Sequence, residues 1–367
     1  MADYNPVFSG NFIASILALA DKAKAHNYST LFMFPYNSDG SEPRWKEYIE
    51  SYGYDFLLYD RTEKSEVLTH MLLRLIDERK INIIHSHFSS CYASLLWSKE
   101  IHNKVKILFH DHMDYVPHEP FKPQILKQIK AGKRYREYGI GVISVMKRKS
   151  RFYFMAKDRW YIPNGISFKR NVKYSLTREE YRKKLGLKDE DKFVLFLGWD
   201  ILRKGVDIAI KSVIDCRKTQ PNIRLGMTGF TSNPSKKDIE RIKEVLGFDP
   251  RQEGIMFLDS EEDMYALHRA ADVYLSASRT EAFSYGILEA ISQNVPVVMS
   301  NISGTRWAKS YTKCKVFRNN DVYDCARAIV ETLDLRFLPS NKDKFMIKYN
   351  IDDWCGKVIA VYERFTE

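Results

Sequence analysis

Cysteine is scarce and scattered: Cys91, Cys216, Cys314, Cys325 and Cys355 are the only five in 367 residues. The count is odd and no pair has C-x-x-C spacing. That argues against a disulfide framework and for a reducing compartment. Long apolar runs are missing too. No stretch approaches the roughly 18 uninterrupted apolar residues of a membrane-spanning helix. The apolar run 12–20 has no basic segment before it and no cleavage site after it, so it does not read as a secretory leader. The chain is therefore expected in the cytoplasm. No G-x-G-x-x-G follows a strand, which speaks against a nicotinamide-dependent dehydrogenase. No helix-turn-helix, zinc-finger or RNA-recognition signature occurs, so nucleic acid is not an expected partner. The histidines share no metal-ligand spacing with nearby cysteines, and neither a metal nor a cofactor is expected.

What the chain does have is basic charge, unevenly placed. Lysine and arginine number 58 against 47 acids. Between Phe121 and Trp160 stand twelve basic residues and only two acids, Glu137 and Asp158, so this short stretch holds nearly the whole excess. Two readings stay open: a solvated basic face, or a surface for an anionic partner. Ile125, Leu126, Ile129 and Tyr135 interleave with Lys127, Lys130, Lys133, Arg134 and Arg136. An apolar stripe beside cations suits a helix lying on an anionic bilayer, at about 1 kcal/mol per basic residue. On that reading the protein is peripheral at the inner face of the membrane.

Short apolar runs alternate with amphipathic helical patterns along almost the entire chain. Strands are expected at 31–34, 55–59, 81–85, 105–109, 140–145 and 160–162, then at 193–198, 223–227, 255–258, 272–276, 295–299 and 315–317. Helices are expected at 12–26, 64–79, 205–218 and 351–366. Continuous apolar strands alternating with helices predict an α/β protein with parallel sheets covered on both faces. A dozen strands are too many for one ordinary sheet. Pro163-Asn164-Gly165 and the polar run after it mark a break. The expectation is two doubly wound domains, 1–164 and 165–350, facing each other across a ligand cleft. The helix in 351–367 would pack back on the first. Only nine residues precede Gly10, so either the first strand is a stub or the start of the chain is incomplete.

The segment 276–290, SASRTEAFSYGILEA, follows a strand and opens a helix near Ser284. A helix start offers unpaired N–H groups and a positive dipole end to an anion. Ser284 suits the N-cap, Tyr285 follows it, and Gly286 lets a phosphate approach the backbone. Glu281 lies in the loop, and Glu289 lies about a turn into the helix, where a carboxylate can accept two hydrogen bonds from a ribose diol. Together they describe a site for a sugar, a diphosphate and a nucleoside. In 198–207, GWDILRKGVD, a strand runs into a helix, so Lys204 can reach a diphosphate.

These segments resemble the E-x7-E motif and its surroundings in the retaining glycosyltransferases of family 4, which have the GT-B fold of two facing Rossmann-like domains. Glu281 and Glu289 match the two acids and Phe283 the usual aromatic, while Ser284 stands where Gly is commoner. Ser9-Gly10, 84–87 (IHSH), 109–111 (FHD), 162–166 (IPNGI) and 259–272 match further segments in order, over nearly the whole chain. The resemblance implies that Glu281 contacts the donor sugar, Glu289 the ribose, Gly10 the donor from the glycine loop of the first domain, and His110 the sugar or acceptor. The family places Arg directly after the Gly and Lys six residues after it. Lys204 fits, Trp199 occupies the Arg position, and Arg203 is the cation available to replace it.

The resemblance further implies transfer of a hexosyl-type group from a nucleoside-diphosphate sugar with retention of configuration. The acceptor would be a saccharide or a lipid-linked saccharide in cell-surface polysaccharide synthesis. Glu281, His110 and Lys204 would be catalytic. Gly10, Arg203, Lys204, Phe283, Ser284, Tyr285, Gly286 and Glu289 would bind the donor. A sugar-nucleotide epimerase on the same fold is the alternative; it would need no acceptor. Structural roles are expected for His85 and His87.

Overall fold

The computed structural model describes residues 1–4, 10–37, 39–43, 45–88, 98–113, 121–147, 151, 153–167, 176–198, 200–259 and 263–366. The chain divides into two compact units, Met1–Ser167 with Tyr349–Glu367, and Phe168–Lys348. Among the described residues, no helix is long and apolar enough to cross a membrane.

The first unit carries strands β1 (Leu31–Pro35), β2 (Asp55–Tyr59), β3 (Ile83–His87), β4 (Lys106–Asp111), β5 (Gly141–Ser144) and β6 (Arg159–Tyr161). Its helices are α1 (Gly10–Ala25), α2 (Lys46–Glu50), α3 (Ser65–Arg79), α4 (Lys99–Lys104), α5 (Phe121–Glu137) and the C-terminal helix Ile351–Thr366. β1 pairs with β2, and β3 to β6 pair in order, all parallel. Residues 1–3 join the two sets. The amide of Ala2 donates to the carbonyl of Met33, that of Asp3 to His87, and that of His87 to Met1. Residues 1–3 thus add a short stub of strand beside β3, which runs to His87, two residues past the expected end at 85. In chain order the sheet runs 3-2-1-4 onward, which puts the topological switch point between the stub and β3.

Side chains two apart on a strand share a face. Ile107, Phe109 and Val142 pack under α3 and α5, while Leu108 and Ile143 pack against α1 and the C-terminal helix. That helix buries Trp354, Val358 and Phe365. Its approach needs Gly165, where a Cβ would sit 2.6 Å from the Cβ of Trp354. The amide of Ile166 bonds the carbonyl of Tyr349, so the outgoing and returning chain run side by side.

Helix α5 corrects the expected apolar stripe. Tyr135 is buried against Phe109 and Tyr153, because it lies on the same face as Gln124 and Gln128, which point into the unit. Leu126 is the exposed apolar residue on the basic side, with Lys122, Lys127, Lys130, Lys133 and Arg134.

The second unit holds β7 (Lys192–Leu197), β8 (Ile223–Thr228), β9 (Met256–Phe257), β10 (Val273–Ser276), β11 (Val297–Ser300) and β12 (Cys314–Phe317). Its helices are α6 (Arg178–Lys184), α7 (Ile201–Lys204), α8 (Val206–Arg217), α9 (Lys236–Leu246), α10 (Met264–Ala270), α11 (Tyr285–Ser292), α12 (Val322–Leu333) and α13 (Lys342–Lys348). The parallel order β12-β11-β10-β7-β8-β9 is again doubly wound, with its switch point between β7 and β10. Val194, Phe196, Leu225, Met227 and Leu275 are almost fully buried beneath α8 and α12.

Candidate active site

The loops that leave β7 and β10 meet at the switch point of the second unit. After β7, Gly198 is required by close approach: a Cβ there would meet the Cβ of Lys204 at 2.8 Å. Asp200 caps α7, its carboxylate accepting from the amide of Arg203 at 3.1 Å and from its Nε at 3.0 Å. This single turn of helix aims two cations at the same point. It ends at Gly205 with φ +73°, where a Cβ would stand 2.2 Å from the carbonyl oxygen of Ala277. A glycine is needed there both for left-handed backbone and for contact with the second loop.

After β10, the chain runs through Ala277 to Glu281. The guanidinium of Arg279 binds Asp207 through both oxygens, at 2.9 and 2.7 Å, and donates to the carbonyl of Leu202. Its amide donates to the carbonyl of Arg203 at 2.8 Å. Glu281, buried in this lacing, takes a hydrogen bond from Lys204 Nζ at 2.8 Å, with Arg203 Nη1 at 3.7 Å from its other oxygen. Behind it, Gly304 fits so closely that a Cβ would fall 1.5 Å from the carbonyl oxygen of Glu281. The Asp200–Arg203–Glu281–Lys204 set balances its own charge. A diphosphate entering beside it would meet two cations held by neighbouring carboxylates.

Ser284 is the N-cap of α11, its Oγ accepting from the amide of Ile287 at 3.4 Å. Gly286 has a packing reason beside the expected one. A Cβ there would lie 2.3 Å from the hydroxyl oxygen of Tyr274, so the glycine makes room for that ring. Burial holds the Tyr274 phenol well above its ordinary range, and the charges of Glu289 and Glu281 add to the effect. Glu289 is buried, with Oε2 3.3 Å from Nε2 of His268, which has no exposed surface. Phe283 is committed to packing: its ring stacks on Trp307 at 4.5 Å and 9°. The ring of Tyr285 stands edge-on to it, 6.4 Å away.

Lys204, Arg203 and Glu281 are thus brought together, with Ser284, Gly286 and Glu289 on the adjoining helix start. Gly10 and His110 belong to the first unit. Gly10 opens α1 with φ +56°. His110 is fully buried in a group of four imidazoles with His85, His87 and His112. Trp199, on the expected Arg position, and Ser9 lie outside the described residues. Reading the sequence missed Asp200, Gly304, His268 and the Arg279–Asp207 pair. Asp200 carried a local signal, an Asx three residues before a helical arginine; the others depend on contacts distant in the chain.

Residues 177–352 match the family model described as glycosyl transferases group 1, a segment just short of half the chain. The lipopolysaccharide glucosyltransferase WaaG of Escherichia coli K12 is 30% identical over 145 residues, 39% of this chain and 37% of that protein. The alpha-monoglucosyldiacylglycerol synthase of Streptococcus pneumoniae is 24% identical over 278 residues, 71% of this chain and 61% of that one. The matches therefore span less than two thirds of these relatives' own lengths. Among solved structures, Anabaena Alr3699/HepE in complex with UDP-glucose superposes with TM-score 0.76 at 13% identity, covering 99% of this chain and 98% of that one. The resemblance read from the motifs holds at the level of the group 1 glycosyl transferases, and the fold is α/β of the GT-B type.

Proposed function

We propose that the protein is a retaining glycosyltransferase that moves a sugar from a nucleoside-diphosphate sugar to a saccharide or lipid-linked acceptor in cell-surface polysaccharide or glycolipid synthesis. The observation that carries this reading is the pair of cations, Lys204 and Arg203, gathered on Glu281 at the switch point beside the start of α11. A leaving diphosphate needs positive charge there, and anomeric carbon gaining oxocarbenium character needs a carboxylate close by. In the proposed step the bond from the anomeric carbon to the diphosphate oxygen breaks. The acceptor oxygen bonds on the same face, and its proton passes to the leaving phosphate oxygen. Glu281 holds the donor sugar, Glu289 the ribose, and Lys204 with Arg203 the diphosphate.

The acceptor class draws support from the relatives, one named for lipopolysaccharide and one for a glucosyl lipid. It also draws support from the exposed basic side of α5, which suits attachment to an anionic bilayer. The matching family model is described as glycosyl transferases and WaaG is named a glucosyltransferase, which favours transfer over epimerisation. Gly10 stays in the proposal for the donor, and His110, which has no exposed surface, stays as a group acting on the sugar or acceptor only through the imidazoles beside it. The test is a melting screen with uridine, guanosine and adenosine diphosphate sugars, then NMR of the product. A ligand at about 100 times its Kd adds about 2.7 kcal/mol. No stabilisation by any of them would sink the donor assignment. An inverted anomeric centre would sink retention.

A further inference from the structure

Two H-x-H pairs, His85 with His87 and His110 with His112, end the neighbouring strands β3 and β4, with His87 opposite His110. The spacing of two puts all four imidazoles on the sheet face toward α1 and the C-terminal helix. The ring of Phe12 from α1 closes one edge, 5.2 Å from His87 and 5.7 Å from His112.

Each of His85, His87 and His110 offers a ring nitrogen within 4.8 Å of those of the other two. His85 Nε2 and His110 Nδ1 are already 3.2 Å apart. Ligand nitrogens around tetrahedral zinc, with Zn–N near 2.0–2.1 Å, stand roughly 3.3 Å apart. His85 Nδ1 meets the hydroxyl of Tyr362 at 2.6 Å, and His87 Nδ1 meets His112 Nε2 at 2.9 Å. A metal-bound imidazole characteristically uses its second nitrogen in this way. His110 Nε2 is buried with no hydrogen-bond partner among the described residues. Asp111 turns away, its carboxylate engaged by Tyr153 and the amide of Met113.

We propose that His85, His87 and His110 form a binding site for one divalent transition metal ion of the zinc, cobalt or nickel class, with Tyr362 and His112 as outer partners. Imidazole ligands with no carboxylate among them suit this class over magnesium or calcium. His85 and His112 are half-buried, so the edge of the group is open to an entering ion.

The test titrates chelator-treated full-length protein with Co(II) and then displaces it with Zn(II), reading the visible absorption bands and the bound metal. One tightly held ion per chain is expected. His87→Gln should abolish the bands, and Tyr362→Phe should weaken binding by about 10- to 100-fold. Because either variant could misfold, nitrogen-15 spectra of the unmodified protein are recorded with and without Zn(II). Shifts confined to the His85, His87 and His110 rings would support the site. Absence of stoichiometric binding, or binding that leaves those rings unshifted, would overturn it.

Discussion

Lys204 Nζ stands 2.8 Å from Glu281 Oε1 although 77 residues separate them in the chain. The two side chains are 19% and 9% exposed, and Arg203 lies 3.7 Å from the second oxygen. Removing Lys204 takes the nearest cation from a nearly buried carboxylate and leaves Arg203, among the described residues, at longer range. A fully buried pair broken in this way costs about 3–5 kcal/mol, and Arg203 should hold the loss to about 2 kcal/mol. Lys204→Ala is therefore expected to lower stability in urea by that amount and to slow transfer by about 100- to 1,000-fold. A variant with normal donor turnover would remove Lys204 from the site.

His268 has no exposed surface and lies 3.3 Å from Glu289. A leucine there would leave the acid buried without this partner, at a cost of about 1–3 kcal/mol. If Glu289 holds the ribose, His268→Leu should raise donor KM roughly tenfold and leave the acceptor KM unchanged. Equal effects on both substrates would point to general loss of structure.

Two glycines separate packing from backbone freedom. Gly304→Ala has no space, since its methyl would fall 1.5 Å from the carbonyl oxygen of Glu281. Loss of donor binding with a fall in Tm is expected. Gly254 has φ +61° but nothing within 4 Å of an added Cβ. Gly254→Ala should cost only about 1 kcal/mol and leave donor binding intact. Comparable donor affinity in both variants would contradict the role assigned to Gly304.

Lys313 is almost fully buried and donates to the carbonyls of Arg336 and Asn294 at 3.0 and 3.4 Å. Burial, with the charges of Arg336 and Lys342, lowers its pKa from 10.5 to about 8. Between those values the unfolded chain binds the proton that the folded chain has released, so stability rises with pH across that window. Relative to Lys313→Met, the wild-type protein should gain on the order of 2 kcal/mol between pH 8 and 10. Urea midpoints at both pH values check this; parallel curves for the two proteins would refute it.

The basic side of α5 predicts sedimentation with anionic vesicles at low salt and release at high salt. Lys127→Glu with Lys130→Glu should reduce that binding sharply without changing turnover of a soluble acceptor. Equal binding to neutral vesicles would argue for another origin.

The twelve strands among the described residues were legible in the sequence, the central ones because parallel strands buried on both faces are continuous apolar runs bounded by turns. Ser284 as N-cap and Lys204 beside a strand end were legible for the same reason: local patterns fixed them. What escaped were relations across the sheet. Nothing near Gly304 says that it lies under Glu281, and nothing near Arg279 names Asp207. The stripe on α5 failed at Tyr135 because alternating apolar and basic residues do not say which side of a helix meets the core. Gln124 and Gln128, on the buried side, were the contrary signal. The histidine group escaped because its ligands come from two strands, each carrying only half the set.

The lacing by Arg279 also bears on how new donor preferences arise. Its side chain and amide bind three residues of the other loop, Leu202, Arg203 and Asp207. A change in one loop therefore shifts the other, and the two act as one unit. Grafting a single loop from a relative with another sugar preference should yield an inactive hybrid, whereas moving both together keeps the pairings that hold Glu281 in place.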